Sequence, residues 1–266
     1  MQNKLATLVA RYHEQLEELR PFDCNVWLGK PSGFSLAEEL PPDKLIETLN
    51  AYKIRGALVS HWRSRNISAQ DGNDALSACR FDNDKMFLIW TALPLLKGEL
   101  RPLPQEENLC RRVKAVRVFP KAHNFPLKPW CIGSLCEWLI EHNLPLFVWH
   151  TETVWQDIYE LAKAFGKLQI VIETQNQKIL YHTRPLFSLL GECPNIMVET
   201  SNLVGQGFLE YLVREYGARR LLFGSFLPIN DPLVGIGMIV GADLSDREKH
   251  QIAHENIEML IAGVTL

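Results

Sequence analysis

The chain has 266 residues, of which 47% are hydrophobic and 22% charged, close to the average usage of soluble globular proteins. A net charge of −3 gives no electrostatic reason to expect binding to nucleic acid or to an anionic membrane surface. No apolar run reaches the roughly 20 residues that span a bilayer, and the six cysteines include no CxxC pair, so we expect reduced thiols and a cytoplasmic location.

The first predicted element is an amphipathic helix at residues 1–20, which contains both leucines and glutamates. A signal peptide would need an uninterrupted apolar core in this position. Eight short apolar runs follow, several of them nearly continuous, as in residues 144–149. Strands of a parallel sheet have this composition because both of their faces are buried. The predicted strands span residues 22–28, 54–61, 86–92, 115–119, 144–150, 168–173, 196–199 and 220–225.

Helical patterns, with apolar residues three and four positions apart, lie between these runs. They cover residues 42–52, 132–142, 154–165, 207–216 and 246–262, while residues 95–105 are predicted to form a loop. Repeated β/α units without a break in composition predict one domain, residues 1–266. We therefore predict an α/β fold, a (β/α)₈ TIM barrel with an N-terminal helical extension. A doubly wound sheet would show the same alternation, but eight strands in this length fit a closed barrel better.

Five segments carry a family likeness, and they occur in a characteristic order along the chain. They read FDCNVWLG (residues 22–29), VRVFPKAH (116–123), LPLFVWHT (144–151), RLLFGSFLP (220–228) and NIEML (256–260). Together they resemble the amidohydrolase superfamily, in the branch of metal-dependent TIM-barrel enzymes that includes aminocarboxymuconate-semialdehyde decarboxylase. The resemblance implies a divalent metal at the C-terminal ends of the strands. It also implies the metal ligands: two histidines from strand one, one each from strands five and six, and an aspartate from strand eight.

This chain departs from that ligand set at almost every position. Matched residue by residue, the ligand positions hold Asn25, Trp27, His150, Thr174 and Phe226. Only His150 is a good ligand, since tryptophan and phenylalanine offer no suitable lone pair and neutral amides or hydroxyls bind zinc poorly. Phe226 also cannot take a proton from a metal-bound water. We therefore predict a degenerate active site with no metal and no cofactor, in which aromatic side chains fill the former metal position.

Without a metal, binding would depend on direct contacts at the C-terminal face of the barrel, where strand ends and loops converge. We predict a pocket there, with Arg117 holding an anion and His61 and His150 donating or accepting hydrogen bonds. The candidate acid–base residues are His150 and Glu199. The predicted ligand-binding set is Asn25, Trp27, His61, Arg117, His150, Thr174 and Phe226.

Each of these residues also has a structural interpretation. Arg117 could form a salt bridge to a loop, His150 could be a hydrogen-bonded structural histidine, and Trp27 could close the mouth. Strand parity is uncertain by one residue, so about half of the strand-end side chains could point into the helical layer instead.

Three functions remain open from the sequence. The first is an amidohydrolase-like barrel that has lost its metal and binds a small ligand or a partner. The second is an active hydrolase or lyase with a relocated, metal-independent site drawn from His61, Arg117, His150 and Glu199. The third is a structural or regulatory subunit of an active paralogue. A small-molecule ligand and a homo-oligomer both fit the sequence.

Overall fold

Eight parallel strands form a single sheet that follows the order of the chain. The computed structural model of the protein describes residues 2–31, 33, 38–81, 85–94, 103–104 and 106–266, and only the backbone of residues 2–8, 11, 13 and 176–178. Most of the loop predicted at residues 95–105 thus lies outside the described residues. The strands are β1 (Phe22–Leu28), β2 (Gly56–His61), β3 (Met86–Thr91), β4 (Val113–Val118), β5 (Leu146–Trp149), β6 (Ile170–Glu173), β7 (Ile196–Glu199) and β8 (Leu221–Leu222).

The sheet closes into a barrel because β1 pairs with the segment that continues β8. The Cys24 N–H donates to the carbonyl of Phe223 at 3.0 Å, and the Trp27 N–H donates to the carbonyl of Leu227 at 2.9 Å. The Asp23 carboxylate accepts the Ser225 N–H at 2.9 Å, which fastens the same seam with a side chain. The predicted (β/α)₈ barrel is thereby confirmed.

The predicted helices recur between the strands, and additional helices occupy the remaining connections. Ser68 caps α4 by accepting the Asp71 N–H, and Asp231 caps α10 by accepting the Leu233 N–H. The helices are α1 (Gln2–Leu19), α2 (Pro42–Ala51), α3 (Arg63–Asn66), α4 (Ala69–Ala78), α5 (Glu107–Arg112), α6 (Pro129–Glu141), α7 (Trp155–Ala164), α8 (Thr183–Glu192), α9 (Phe208–Tyr216), α10 (Pro232–Gly241), α11 (Asp246–His250) and α12 (Asn256–Ala262). Among the described residues, no helix combines the length and the apolar character needed to cross a bilayer.

The strand predicted at residues 220–225 is shorter in the structure, where β8 covers only Leu221–Leu222. The reason is a change of hydrogen-bond partner, since the Phe223 N–H donates to the carbonyl of Ile252 at 2.9 Å. Ile252 lies in a short π-helical segment, Gln251–Glu255, between α11 and α12. The Asn256 amide then donates to the carbonyls of Ala218 and Leu221, both at 2.8 Å. The C-terminal helices thus hold the start of the last strand.

The lower half of the barrel interior is an apolar core. One side chain or more from each strand enters it, and α12 closes the floor with Ile257 and Ile261. The strand residues of this cluster are Phe22, Cys24, Leu58, Ile89, Ala115, Phe147, Val171, Met197 and Leu222. The chemistry of interest therefore lies in the upper half, toward the C-terminal ends of the strands.

Candidate functional site

Five aromatic side chains fill the C-terminal mouth of the barrel, and we call them the aromatic plug. Trp27 is at the centre, with ring centroids 4.7 Å from Trp62 and 5.4 Å from Trp149. Phe119 lies 6.1 Å from Trp27, and Phe226 lies 5.9 Å from Trp149. All five are buried, none more than 5% exposed. Separations of this kind are those of packed aromatic pairs, so the plug has the geometry of a core.

Phe226 enters the plug at a cost to the backbone. Its φ is +63°, in the left-handed region that bulky side chains rarely adopt. Such a residue persists only where its surroundings determine the conformation strongly. The ring contacts with Trp62 and Trp149, together with complete burial, supply those surroundings.

A buried ion pair lies directly beneath the plug. The Arg117 guanidinium donates through Nε to the Glu173 carboxylate at 2.8 Å and through Nη2 to its other oxygen, so the pair is bidentate. Nη1 donates to the Ser60 hydroxyl, and the guanidinium carbon lies 4.3 Å from the centre of the Trp27 ring. Both partners are fully buried. Arg117 is thus held by Glu173, Ser60 and Trp27, and its predicted role as a contact for a bound anion stays a prediction.

Glu199 is a second buried carboxyl group in this layer. Its oxygens accept the Ser201 N–H and, at 3.2 Å, the Thr174 N–H. Burial, together with the nearby Glu173 charge, raises the pKa of Glu199 from 4.5 to about 8. A Cβ at Gly224 would lie 2.6 Å from the Glu199 side chain, so this carboxyl needs glycine beside it. At neutral pH Glu199 is therefore mainly protonated. Glu173 differs in having the Arg117 charge beside it, which opposes the effect of burial on its pKa.

The proton on Glu199 gives a prediction for stability against pH. Because the pKa is raised on folding, the contribution of this group is fully present below about pH 4.5 and is lost as the pH rises through about 8. Over this window we expect the free energy of unfolding to fall less steeply for Glu199→Gln than for the parent. Urea unfolding at several pH values measures this, with the exposed Glu192→Gln as control. Identical profiles for parent and Glu199→Gln would contradict it.

Asn25 orients the central ring of the plug. Its Oδ1 accepts the indole N–H of Trp27 at 2.6 Å, and its own backbone N–H donates to the Asp23 carboxylate at 2.9 Å. Burial raises the pKa of the Asp23 carboxyl. Asn25 and Trp27, two of the predicted ligand-binding residues, thus contact each other.

His150 packs on the helical side of the β5 end. Its ring lies 5.9 Å from Trp155 and 5.7 Å from His182, and Nδ1 accepts the Gln175 N–H at 3.2 Å. The neighbouring Trp149 is the residue whose ring joins the plug. Side chains alternate along a strand, so Trp149 and His150 project to different sides. The predicted roles of His150 as acid–base residue and as ligand contact stay predictions.

His61 and Thr174 also lie near strand ends but contact different groups. The His61 Nδ1 accepts the Arg63 N–H at 3.1 Å, and burial followed by the Arg63 charge lowers its pKa to about 4. A Cβ at Gly29 would meet the His61 ring at 2.6 Å, so the two pack closely. The Thr174 hydroxyl donates to the carbonyl of Glu199 at 3.2 Å and accepts the Asn202 N–H at 3.0 Å. Of the predicted residues, the structure therefore brings together Thr174 with Glu199, and Trp27 with both Asn25 and Arg117.

A salt bridge between α3 and the segment that follows β5 covers one side of the plug, and sequence reasoning missed it. Arg65 bonds to Glu152 at 2.8 Å, and its guanidinium carbon lies 4.9 Å from the Trp149 ring centre. The Glu152 carboxylate also accepts the Ala122 N–H at 2.9 Å. Phe119 and Trp149 were missed as well, although an aromatic residue at the end of a predicted strand is a signal that could have identified each of them.

The residues present at the family's metal positions do not fit a divalent ion. Asn25 is bonded to Trp27, Thr174 to Glu199, and Phe226 offers no ligand atom. Within the described ranges, no three His, Cys, Asp or Glu side chains are grouped so that they could hold one ion. The Glu173 and Glu152 carboxylates near the plug are bound to Arg117 and Arg65, respectively.

Exposed apolar side chains lie in the segments that follow the strands, and we call them the apolar rim. The most exposed are Tyr181 at 86% and Trp130 at 79%. Each rim residue lies in the segment after a strand or in the first turn of the helix that follows it. These segments converge at the C-terminal face of such a barrel. The rim consists of Ile67, Trp130, Val154, Tyr181, Val204, Leu233 and Val234, of which all but Ile67 follow the consecutive strands β4 to β8.

The closed parallel barrel, with its plug at the C-terminal ends of the strands, places this chain in the class of (β/α)₈ barrel proteins. The amidohydrolase family model matches residues 29–261, so the chain belongs to the amidohydrolase family. This confirms the resemblance drawn from the five sequence segments. No curated protein sequence matches the chain.

Solved structures with the same fold include decarboxylases. Dihydroxybenzoic acid decarboxylase from Polaromonas sp., with bound manganese and the inhibitor 2-nitroresorcinol, is 13% identical with a TM-score of 0.68, over 91% of this chain and 96% of that one. 5-Carboxyvanillate decarboxylase from Sphingomonas paucimobilis is 11% identical with a TM-score of 0.64, over 93% of this chain and 100% of that one. An uncharacterized TIM-barrel protein from Bordetella bronchiseptica is 14% identical with a TM-score of 0.66, over 91% of this chain and 98% of that one. At these identities the likeness concerns the fold.

Proposed function

We propose that this chain is a metal-free member of the amidohydrolase family that acts by binding a protein partner at its C-terminal face. The observation that carries the proposal is the aromatic plug, which occupies the strand ends where the family's chemistry takes place. Its rings are buried and packed on one another above a bidentate ion pair. A site organised for turnover would keep room for a substrate, whereas this one is filled by the chain's own side chains.

The choice of a protein partner rests on the apolar rim. Large exposed apolar groups that cluster on one face of a soluble protein mark interaction surfaces. Trp130 and Tyr181 are residues of the kind that dominate binding energy at interfaces. Exposed Lys121 lies in the connection between β4 and α6, and exposed Arg184 lies in the first turn of α8, just after Tyr181. A partner with acidic groups around an apolar centre would complement these cations.

The loss of the metal site gives a direct prediction. Protein purified from cells supplied with zinc and manganese is expected to contain well below one equivalent of either metal, because Asn25, Trp27, Thr174 and Phe226 cannot replace the family's ligands. Elemental analysis measures this. The Polaromonas decarboxylase, which binds manganese, is the control and is purified in parallel. About one equivalent of metal, lost in His150→Ala, would contradict the proposal.

The rim gives a second prediction, for which a second copy of the chain is the partner that can be measured directly. We expect the parent to self-associate at about 100 µM and the double variant Trp130→Ser, Tyr181→Ser to remain monomeric. Analytical ultracentrifugation measures the difference. Met259→Ser is the control, since Met259 is also exposed but lies on α12, at the opposite end of the barrel. A parent that stays monomeric would exclude a second copy as the partner.

One observation favours a second candidate function, acid–base chemistry in the buried polar layer. Glu199, with a pKa of about 8, lies near Glu173, whose pKa burial also raises while the Arg117 charge opposes that rise. Two neighbouring carboxyl groups in different environments are the pattern of an acid and a base. The candidate requires the plug to open, because Glu199 is fully buried. Labelling of Glu199 by a water-soluble carbodiimide in the folded protein distinguishes the two functions, since labelling faster than global unfolding requires such opening.

A further inference from the structure

The structure contains a cavity at the end of the barrel opposite the plug. It has a volume of about 680 Å³ and lies between the C-terminal end of α6, the segments that lead into β5 and β6, and α12. Its apolar lining includes Leu144, Leu168, Met197 and Leu260. This volume is within the range of small-molecule sites in proteins, roughly 300–1,000 Å³.

The apolar lining continues into the floor of the barrel. Met197 belongs both to the cavity and to the interior cluster of the barrel, and Leu260 packs against the same cluster. Leu144 and Leu168 immediately precede their strands and are buried. Met259 lines the cavity as well, with 76% of its surface exposed. A methionine is flexible and polarizable, so two of them allow the walls to adjust to an unbranched chain.

Two cations stand at the edge of this apolar space. Lys167 and Arg219 line the cavity and are exposed, and the described part of the chain gives neither of them an ion pair. Glu141 is the single acidic residue of the lining. The cavity therefore combines an apolar interior with a net positive edge, and this combination complements a molecule with an apolar body and an anionic head.

We propose that this cavity binds a free hydrocarbon chain with a terminal carboxylate, the chemistry of a fatty acid. The chain would lie along Leu144, Leu168, Met197 and Leu260, and the carboxylate would face Lys167 and Arg219. Helix α6, the strand starts and α12 line different sides of the space, which is a groove partly open to solvent, and its occupant would be a single free chain. The site is remote from the plug and is independent of the proposed function.

Calorimetric titration with decanoate tests the proposal, with acetate and decanol as matched probes. We expect saturable binding of one decanoate per chain, no binding of acetate, and binding of decanol weaker by about tenfold or more, since decanol lacks the charge-assisted contacts. The double variant Lys167→Glu, Arg219→Glu should weaken decanoate binding by a similar factor. Both residues are exposed, so the fold should be retained, and Arg184→Glu at the opposite face should bind as the parent does.

A second variant keeps the test independent of charge. Leu260→Trp places an indole ring in the cavity, where it would occupy the space for the hydrocarbon chain. We expect it to abolish decanoate binding while the circular dichroism spectrum stays unchanged. Vesicles containing phosphatidylglycerol should not bind the protein. The proposal is overturned if decanoate does not bind saturably, if decanol binds as tightly as decanoate, or if the charge variant retains full affinity. Vesicle binding that the charge variant loses would also overturn it, because the ligand source would then be a membrane.

Discussion

Arg117→Ala is expected to lower the free energy of unfolding by about 3–5 kcal/mol, because it leaves the Glu173 carboxylate buried without its counter-charge. The structure gives this pair no contact with solvent. The substitution also removes the cation–π contact with Trp27, at 4.3 Å. Urea unfolding followed by circular dichroism measures the effect.

The double variant Arg117→Met, Glu173→Leu is the control for this result. Replacing both members of a buried ion pair by apolar groups of similar volume is often neutral or stabilising. We therefore expect the double variant to be far closer to the parent than Arg117→Ala is. An Arg117→Ala protein as stable as the parent would show that the pair is solvated in solution, and the closed mouth would then be in doubt.

Trp27→Ala is the second substitution with a large expected effect, again about 3–5 kcal/mol of lost stability. The ring is fully buried and touches Trp62, Trp149 and Phe119, so its removal leaves a cavity at the centre of the plug. Thermal and urea unfolding of the purified variant both report the loss.

Trp130→Ala provides a control of the same chemistry, because Trp130 is exposed and its replacement should change stability by only about 0.5 kcal/mol or less. The comparison separates a core from a functional pocket. Replacing residues of a strained or functional site commonly leaves stability unchanged or raises it. A Trp27→Ala protein at least as stable as the parent would therefore contradict the proposed function.

The barrel was predictable because its signal is distributed along the chain. The prediction rests on eight apolar runs and on the order of five family-like segments. It does not change when the boundary of a predicted strand is wrong by one or two residues. The shortened β8 was not predictable, since it depends on the Phe223 N–H reaching the Ile252 carbonyl in the C-terminal helices. A hydrogen bond between distant segments leaves no local pattern in the sequence.

The candidate site was predictable in part. Replacement of the metal ligands by Asn25, Trp27 and Phe226 is visible in the sequence, and so is the aromatic character of the mouth. Which residue of β5 faces inward is not visible, because a shift of one position exchanges Trp149 with His150. In β1 an irregular register between Asp23 and Val26 places both Cys24 and Trp27 inside the barrel. Strict alternation cannot anticipate that.

The buried guanidinium of Arg117 has a consequence for protein engineering. A metal site could be designed into this barrel only by changing several residues at once, because each single step is unfavourable by itself. A histidine introduced at Trp27 alone would open the plug without supplying enough ligands, and an ion placed there would meet the positive charge of Arg117. The substitutions are therefore strongly epistatic, and a library that samples them one at a time would find no improved intermediate. Replacement of Arg117, Glu173 and Trp27 in the same variant is the first step that opens the plug and removes the positive charge without leaving the Glu173 carboxylate buried alone.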